Sequence, residues 1–406
     1  MLGSFGEPLS FLLHVTQYEG RSLEQLLAPR TPGEDGPSLG GAVIQASYVH
    51  RDPPLLLRLA DSHVPWVVEP QSVRFASPGY AAVTSLARLP YAPPAPLETT
   101  RFGDEHRRMV RLALEFQARH EPALYVVPSL PVARPSVRVL NAYQALHEYA
   151  ATLNGREKIP YRPMLATAYP GTLVLRGRYS VFERLADRSW AGVYVQPLQL
   201  DTKRDGVEKL VAYARFLQQG QQSGLRIIAG RPGAFGLVLG AFGIDLFDSG
   251  LGGGDSFSLT RLDRPRVRDE SGQLRGGRAR PVYLRPLLSA LRASDASQLL
   301  ESPAIRAQLS CAVGECRFGG YRYAVEHPRA HFFHCRQAEL EALKAHRTAA
   351  LRVQLVNGWL QDAIATARLV NRVRGEIGLA SIDFEYLDRW RGVLSRVASL
   401  VALGES

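Results

Sequence analysis

The stretch from 226 to 250 constrains the fold most. RIIAGRPGAFGLVLGAFGIDLFDSG reads as a short apolar strand, a Gly/Pro turn, a helix and a second strand that ends on acids. This is one βα unit, and its second strand delivers Asp245 and Asp248 to its carboxyl end. In α/β barrels that end is where catalytic groups assemble. An acid closing a buried strand also serves elsewhere as a turn former, so the unit alone fixes a fold element and only nominates a site.

The rest of the chain repeats the alternation. Apolar runs at 11–16, 41–47, 66–69, 123–127, 161–168 and 192–198 read as strands, with helical spacing at 55–61, 107–120, 139–154 and 205–219 between them. Strands alternating with helices predict a parallel sheet closed as a TIM-type (β/α)8 barrel. The 406 residues, 46% of them hydrophobic, suffice for such a barrel with additions. Long helical patterns take over from 339 to 374 and from 383 to 403, so the expected organisation is a barrel over 1–300, a Cys/His segment over 301–340 and a helical region over 341–406. With no run of 18 apolar residues, no membrane span is expected. The N-terminal MLGSFGEPLSFLLHV has no basic n-region, so it reads as folded sequence and a cytoplasmic protein is expected.

Charge points to a polyanionic partner. Lys and Arg number 49 against 38 acids, a net charge of +11, which favours nucleic acid through counterion release. The surplus concentrates between Arg261 and Arg285, where eight arginines face three acids among glycines. Guanidinium forks pair phosphate oxygens without reading sequence, so Arg264, Arg266 and Arg268 are expected on a phosphate backbone; the alternative is a solvated loop.

The three cysteines are too few for a disulfide framework. Cys311, Cys316 and Cys335 instead fall in one window of 25 residues with His327, His331 and His334, and thiolates with imidazoles are the ligands of tetrahedral zinc. His334 and Cys335 are adjacent, and neighbours on a regular helix diverge by about 100°. His331 and His334, three apart, share a helix face more easily.

Gly243-Ile244-Asp245-Leu246-Phe247-Asp248, with Gly192-Val193-Tyr194-Val195-Gln196-Pro197-Leu198 one unit earlier, resembles the tRNA-guanine transglycosylases and their DNA-acting relatives over about sixty residues. The resemblance implies that Asp248 is the aspartate that attacks the sugar carbon of a nucleotide. It implies further that Leu198 and Gln199 floor the base pocket, with Asp245 beside it and with Gln196, which with Pro197 replaces the family's paired glycines, among the substrate-binding residues. The acid/base group of that family closes an early strand; here the strand from Trp66 ends on Glu69 without the family's glycines, and a salt bridge from Glu69 to Arg74 is the structural alternative. The family's structural zinc implies Zn2+ on Cys311, Cys316 and His334. Val313 replaces the middle cysteine, so Cys335 or His331 completes the set or the metal is lost.

The P-T-R run expected after Asp248 is replaced by Ser249-Gly250-Leu251-Gly252-Gly253-Gly254-Asp255. The resemblance therefore implies a divergent paralogue, DNA favoured over tRNA as acceptor, that inserts a 7-deazaguanine such as preQ0 within a phage-defence or modification cluster. A homodimer or partner proteins of that cluster are the expected assembly. The rival expectations are another acceptor for the same barrel and a non-catalytic nucleic-acid-binding subunit.

Overall fold

The computed structural model describes residues 9–15, 26, 40–49, 54–177, 181–185, 190–244, 246–250, 281–311, 313 and 316–402. Eight parallel strands form one sheet in the order β3-β2-β1-β8-β7-β6-β5-β4: β1 Ser10–Val15, β2 Gly41–Gln45, β3 Trp66–Glu69, β4 Tyr125–Val126, β5 Met164–Ala168, β6 Gly192–Val195, β7 Ile227–Gly230 and β8 Leu246–Ser249. The ends of this order meet as well, since Val67 bridges Leu124 in parallel and Ala123 N donates to Trp66 O at 2.8 Å. The result is the nearly closed α/β barrel expected from the alternation of strands and helices.

Strand alternation divides each strand between two cores. Inward residues Leu12, Val43, Val67, Leu124, Val126, Leu165, Tyr194, Ile228 and Leu246 fill the barrel. Outward residues such as Leu13, Ile44, Val195 and Phe247 join the larger core shared with the helices. Close approach on the outside depends on one glycine: a Cβ at Gly236 would lie 2.5 Å from the Phe247 ring, so only glycine lets the helix Gly236–Ala241 lie against β8.

β4 has only two residues, and a helix side chain completes its pairing. Gln117, fully buried on the helix Asp104–Ala118, donates to Val126 O and accepts from Val126 N, both at 2.8 Å. That helix starts with Asp104 and Glu105, which complement the positive end of its dipole.

The helix Val137–Leu153 carries His147, whose Nδ1–H donates to Tyr143 O at 2.9 Å while Nε2 accepts from Thr167 N at 3.3 Å. Both ring nitrogens are satisfied only in the neutral form, and burial draws the imidazole down to about 4. Between about pH 6.5 and 4 the unfolded chain therefore binds a proton that the folded chain refuses. Stability present above pH 6.5 should fall as the pH drops through that window, by on the order of 3 kcal/mol. Urea unfolding of wild type and His147→Gln checks this: the wild-type midpoint should fall more steeply from pH 6.5 to 4, and parallel profiles would contradict it.

Beyond the barrel, β9 Val282–Leu284 and β10 Ser289–Leu291 form an antiparallel hairpin that the sequence pattern did not signal. Helices Ala293–Glu301, Pro303–Leu309, Cys316–Glu326 and Pro328–Lys344 follow, then the long helices Ala349–Glu376 and Glu385–Ala402. The last packs on the barrel helix Val207–Gln222, and its buried Trp390 donates to Thr202 O at 2.6 Å. The C-terminal region thus forms part of the barrel's outer layer. Among the described residues no helix is long and apolar enough to cross a membrane.

Candidate functional site

On seven of the eight strands, β4 excepted, the position two residues beyond the last inward core residue, toward the carboxyl end, is a polar residue or, on β7, a glycine. That next position is His14 on β1, Gln45 on β2, Glu69 on β3, Thr167 on β5, Gln196 after β6, Gly230 on β7 and Asp248 on β8. All of these polar side chains are buried. Uncompensated buried polar groups are costly, so a polar layer over an apolar one marks a place where something other than packing is selected.

Asp248 is the centre of this layer and is 0% exposed. Its Oδ2 accepts from His14 Nδ1 at 2.6 Å and from the Tyr194 hydroxyl at 3.0 Å, and its Oδ1 accepts from the Arg231 backbone N–H at 2.5 Å. Tyr194 stands two strands away, across β7, in register with Ile228. Gly230 sits beside Asp248 in register, and a Cβ there would meet the Tyr194 ring and hydroxyl at 3.0 Å. Glycine thus clears the path from β6 to β8. Burial, then the Asp248 charge, pushes the Tyr194 phenol well above its ordinary range, so it stays a donor.

His14 Nε2 lies 2.5 Å from the Arg231 guanidinium and 3.2 Å from the Gln45 amide nitrogen. A guanidinium only donates, so Nε2 accepts and Nδ1 carries the hydrogen given to Asp248. Glu69 Oε1 accepts from Gln71 N at 3.0 Å, and Gln71 Oε1 accepts from Ser47 N at 3.0 Å, which ties the loops after β2 and β3 together. Arg74 follows on the turn Ser72–Ala76, where burial and the nearby Arg231 charge draw its guanidinium down to about 10, while Glu69 opposes that shift. The Glu69 charge thus acts on Arg74, and Glu69 also stands in the inward layer with Asp248. Gln71, Gln199 and Arg231 all take left-handed backbone angles, with φ of 57°, 55° and 56°. Non-glycine residues held there store strain, and these three lie just past the carboxyl ends of β3, β6 and β7.

Gln196 is 1% exposed, and neither polar atom of its amide has a hydrogen-bond partner among the described residues. Leu198 packs with Val73 and Tyr169 in a small apolar cluster above the layer. Gln199 differs from expectation: its side chain is exposed, because the left-handed turn at this residue swings it out of the barrel, while its carbonyl accepts from Lys209 Nζ at 2.7 Å. Asp245, Arg264, Arg266 and Arg268 lie outside the described residues.

His14, Gln45, Tyr194 and Arg231 were not singled out by motif. For His14 and Gln45 the signal was present as parity: the inward apolar residues Leu12, Val43 and Val67 are followed two positions later by His14, Gln45 and Glu69. Nothing in the sequence says which parity faces inward.

The second constellation gathers Cys311, His331 and Cys335, whose ligand atoms all lie within 4.8 Å of one another and could hold a metal ion. The Cys311 and Cys335 sulfurs are 3.5 Å apart, and Cys316 Sγ lies 3.0 Å from His331 Nδ1. His331 Nε2 points to Tyr283 O at 2.6 Å, which leaves the Nδ1 lone pair facing the sulfurs. The Cys316 and Cys335 thiols draw Cys311 down, and Cys311 in turn pushes Cys335 up, so of these two sulfurs it is Cys311 that takes the negative charge. The expected ligand His334 is corrected to His331. The helix Pro328–Lys344 is regular there, so Cys335 shares its face with the residue four positions earlier. His334 is not part of that group, and its ring lies edge-on to Phe333. Next along the same face, Glu339 accepts from the Tyr283 hydroxyl at 2.8 Å and pairs with Arg336 at 3.1 Å, which fixes the hairpin to the helix.

Fold and site together define an α/β barrel with an acid-centred polar layer at its carboxyl end and a Cys/His cluster beside it. In comparisons with known proteins, no family model matches the chain and no curated protein matches it.

Proposed function

We propose that this chain is a base-exchange transglycosylase that replaces guanine in a nucleic acid, DNA favoured, with a 7-deazaguanine such as preQ0. The observation that carries this reading is Asp248, a fully buried acid held by three donors at the carboxyl end of β8, where the resemblance puts a nucleophile.

In the first half-reaction an Asp248 oxygen gives an electron pair to the sugar C1′. The C1′–N bond breaks, its electrons go to the departing base, and Glu69 supplies the proton that neutralises it. In the second half the incoming base nitrogen attacks C1′, its proton passes to Glu69, and the ester bond returns its electrons to Asp248. No electrons are gained or lost overall. Gln196, whose amide donor and acceptor have no partner among the described residues, suits the adjacent N–H and C=O of a lactam base edge.

The group Cys311, His331 and Cys335, with Cys316 Sγ 3.0 Å from His331 Nδ1 as the fourth donor, fits a structural zinc, with Tyr283 O orienting the histidine. Bound there, zinc would supply folding free energy and no chemistry of exchange. The net charge of +11 supports a nucleic-acid partner. Mass spectrometry of nucleosides from DNA and tRNA of cells carrying wild type or Asp248→Asn tests the reading. A 7-deazaguanine nucleoside in DNA that depends on Asp248 is expected. Its appearance in tRNA alone would move the acceptor, and identical nucleosides in both strains would refute exchange.

A further inference from the structure

We propose that His14 is a positioning residue that, with Tyr194, holds Asp248 by Oδ2 and so assigns the attack on C1′ to Oδ1. The inference rests on the reading of Asp248 as nucleophile and goes beyond it by saying which oxygen forms the glycosyl ester and what aims it.

A carboxylate oxygen offers two in-plane lone pairs. Oδ2 spends both, one on His14 Nδ1–H at 2.6 Å and one on the Tyr194 hydroxyl at 3.0 Å. Oδ1 meets one donor, the Arg231 backbone N–H. Oδ1 can therefore give an electron pair to carbon while every side-chain contact to Asp248 persists, whereas attack through Oδ2 would first break one of them.

His14 suits holding better than proton transfer. Its Nε2 is engaged by Arg231 and Gln45, its Nδ1 by Asp248, and the residue is buried. With both nitrogens committed, the ring has no position open to a base, a sugar or water. Its neighbours are fixed in turn: the left-handed backbone at Arg231 directs one N–H at Oδ1 while the same residue's guanidinium caps His14. One residue thus sets both oxygens of the nucleophile, once through its backbone and once through the histidine.

Single-turnover and steady-state exchange on a guanine-containing oligonucleotide, with release of labelled guanine as readout, test this in the full-length protein. His14→Leu keeps the volume and removes the donor. It should lower the rate of glycosyl-ester formation by about 10² to 10³-fold, the effect of misaiming a reacting group or losing one preorganised donor, and should change KM for the oligonucleotide by less than about 3-fold. His14→Asn restores an N–H near the Nδ1 position and should recover most of the loss, which a merely structural role would not predict. Should His14→Leu fail to fold, Tyr194→Phe removes the other Oδ2 donor from an intact ring and should show the same split of kcat from KM. Wild-type rates in whichever of these two variants folds, or a loss confined to KM, would overturn the positioning role while leaving Asp248 as nucleophile. Adduct formation that survives Asp248→Asn would instead remove the nucleophile itself, and this inference with it.

Discussion

Asp248→Asn should abolish base exchange and the covalent protein–nucleic acid adduct, with a rate loss of roughly four orders of magnitude or more, the scale seen when a nucleophile is deleted. The substitution keeps the shape and removes the electron pair that the sugar carbon needs. It also changes the hydrogen bonding, because Asp248 accepts from donors at both oxygens. An amide that keeps its oxygen toward His14 and Tyr194 must turn an NH2 toward the Arg231 N–H. One donor–donor conflict should therefore cost about 1–3 kcal/mol of stability without unfolding the barrel. Intact-mass analysis of the protein after incubation with oligonucleotide, beside a urea titration, separates the two effects. An adduct that persists in the variant would acquit Asp248 of nucleophilic attack.

Purified protein should carry about one zinc per chain, and its removal should destabilise the region from the β9–β10 hairpin through the helix Pro328–Lys344. His331 joins these parts directly, since one ring nitrogen meets Tyr283 on the hairpin and the other faces the sulfurs. Small zinc domains gain roughly 10–16 kcal/mol from their metal, and a site inside a larger core should keep part of that, on the order of 4 kcal/mol. Cys316→Ser and His331→Ala should both lose the metal and lower the thermal midpoint, whereas His334→Ala should retain it. Zinc far below stoichiometry in wild type would retire the metal. Equal loss in the two histidine variants would retire the ligand assignment.

The barrel was legible because its determinants are local. Apolar runs of four to eight residues separated by helical spacing occur along the first 250 residues, and each reports its own burial without reference to the others. The stretch 226–250 became β7, the helix Gly236–Ala241 and β8 as its pattern required. The hairpin at Val282–Leu284 and Ser289–Leu291 was missed because its strands have three residues each, too short for a period to register.

The site divided along the same line. Asp248 and Glu69 could be named because each closes a strand in a recognisable run, and both stand in the buried inward layer. His334 was misplaced because the sequence placed the histidines in one window without saying which helical face meets the cysteines. The helix decides that by its 100° step, which puts His331 with Cys335. Gln199 was misplaced for a backbone reason, a left-handed turn that its residue type does not announce.

By itself, the sequence determined the barrel's strands and the helices between them, their parallel order and the residue types delivered to each strand end, since hydrophobic period and turn residues act within a few positions. Only the tertiary structure decided the company Asp248 keeps. His14 comes from 234 positions away and Tyr194 from 54, and Gly230 matters because it lies between them in the sheet. Those contacts arise from closing the barrel, which brings together inward faces of strands that no local pattern can pair.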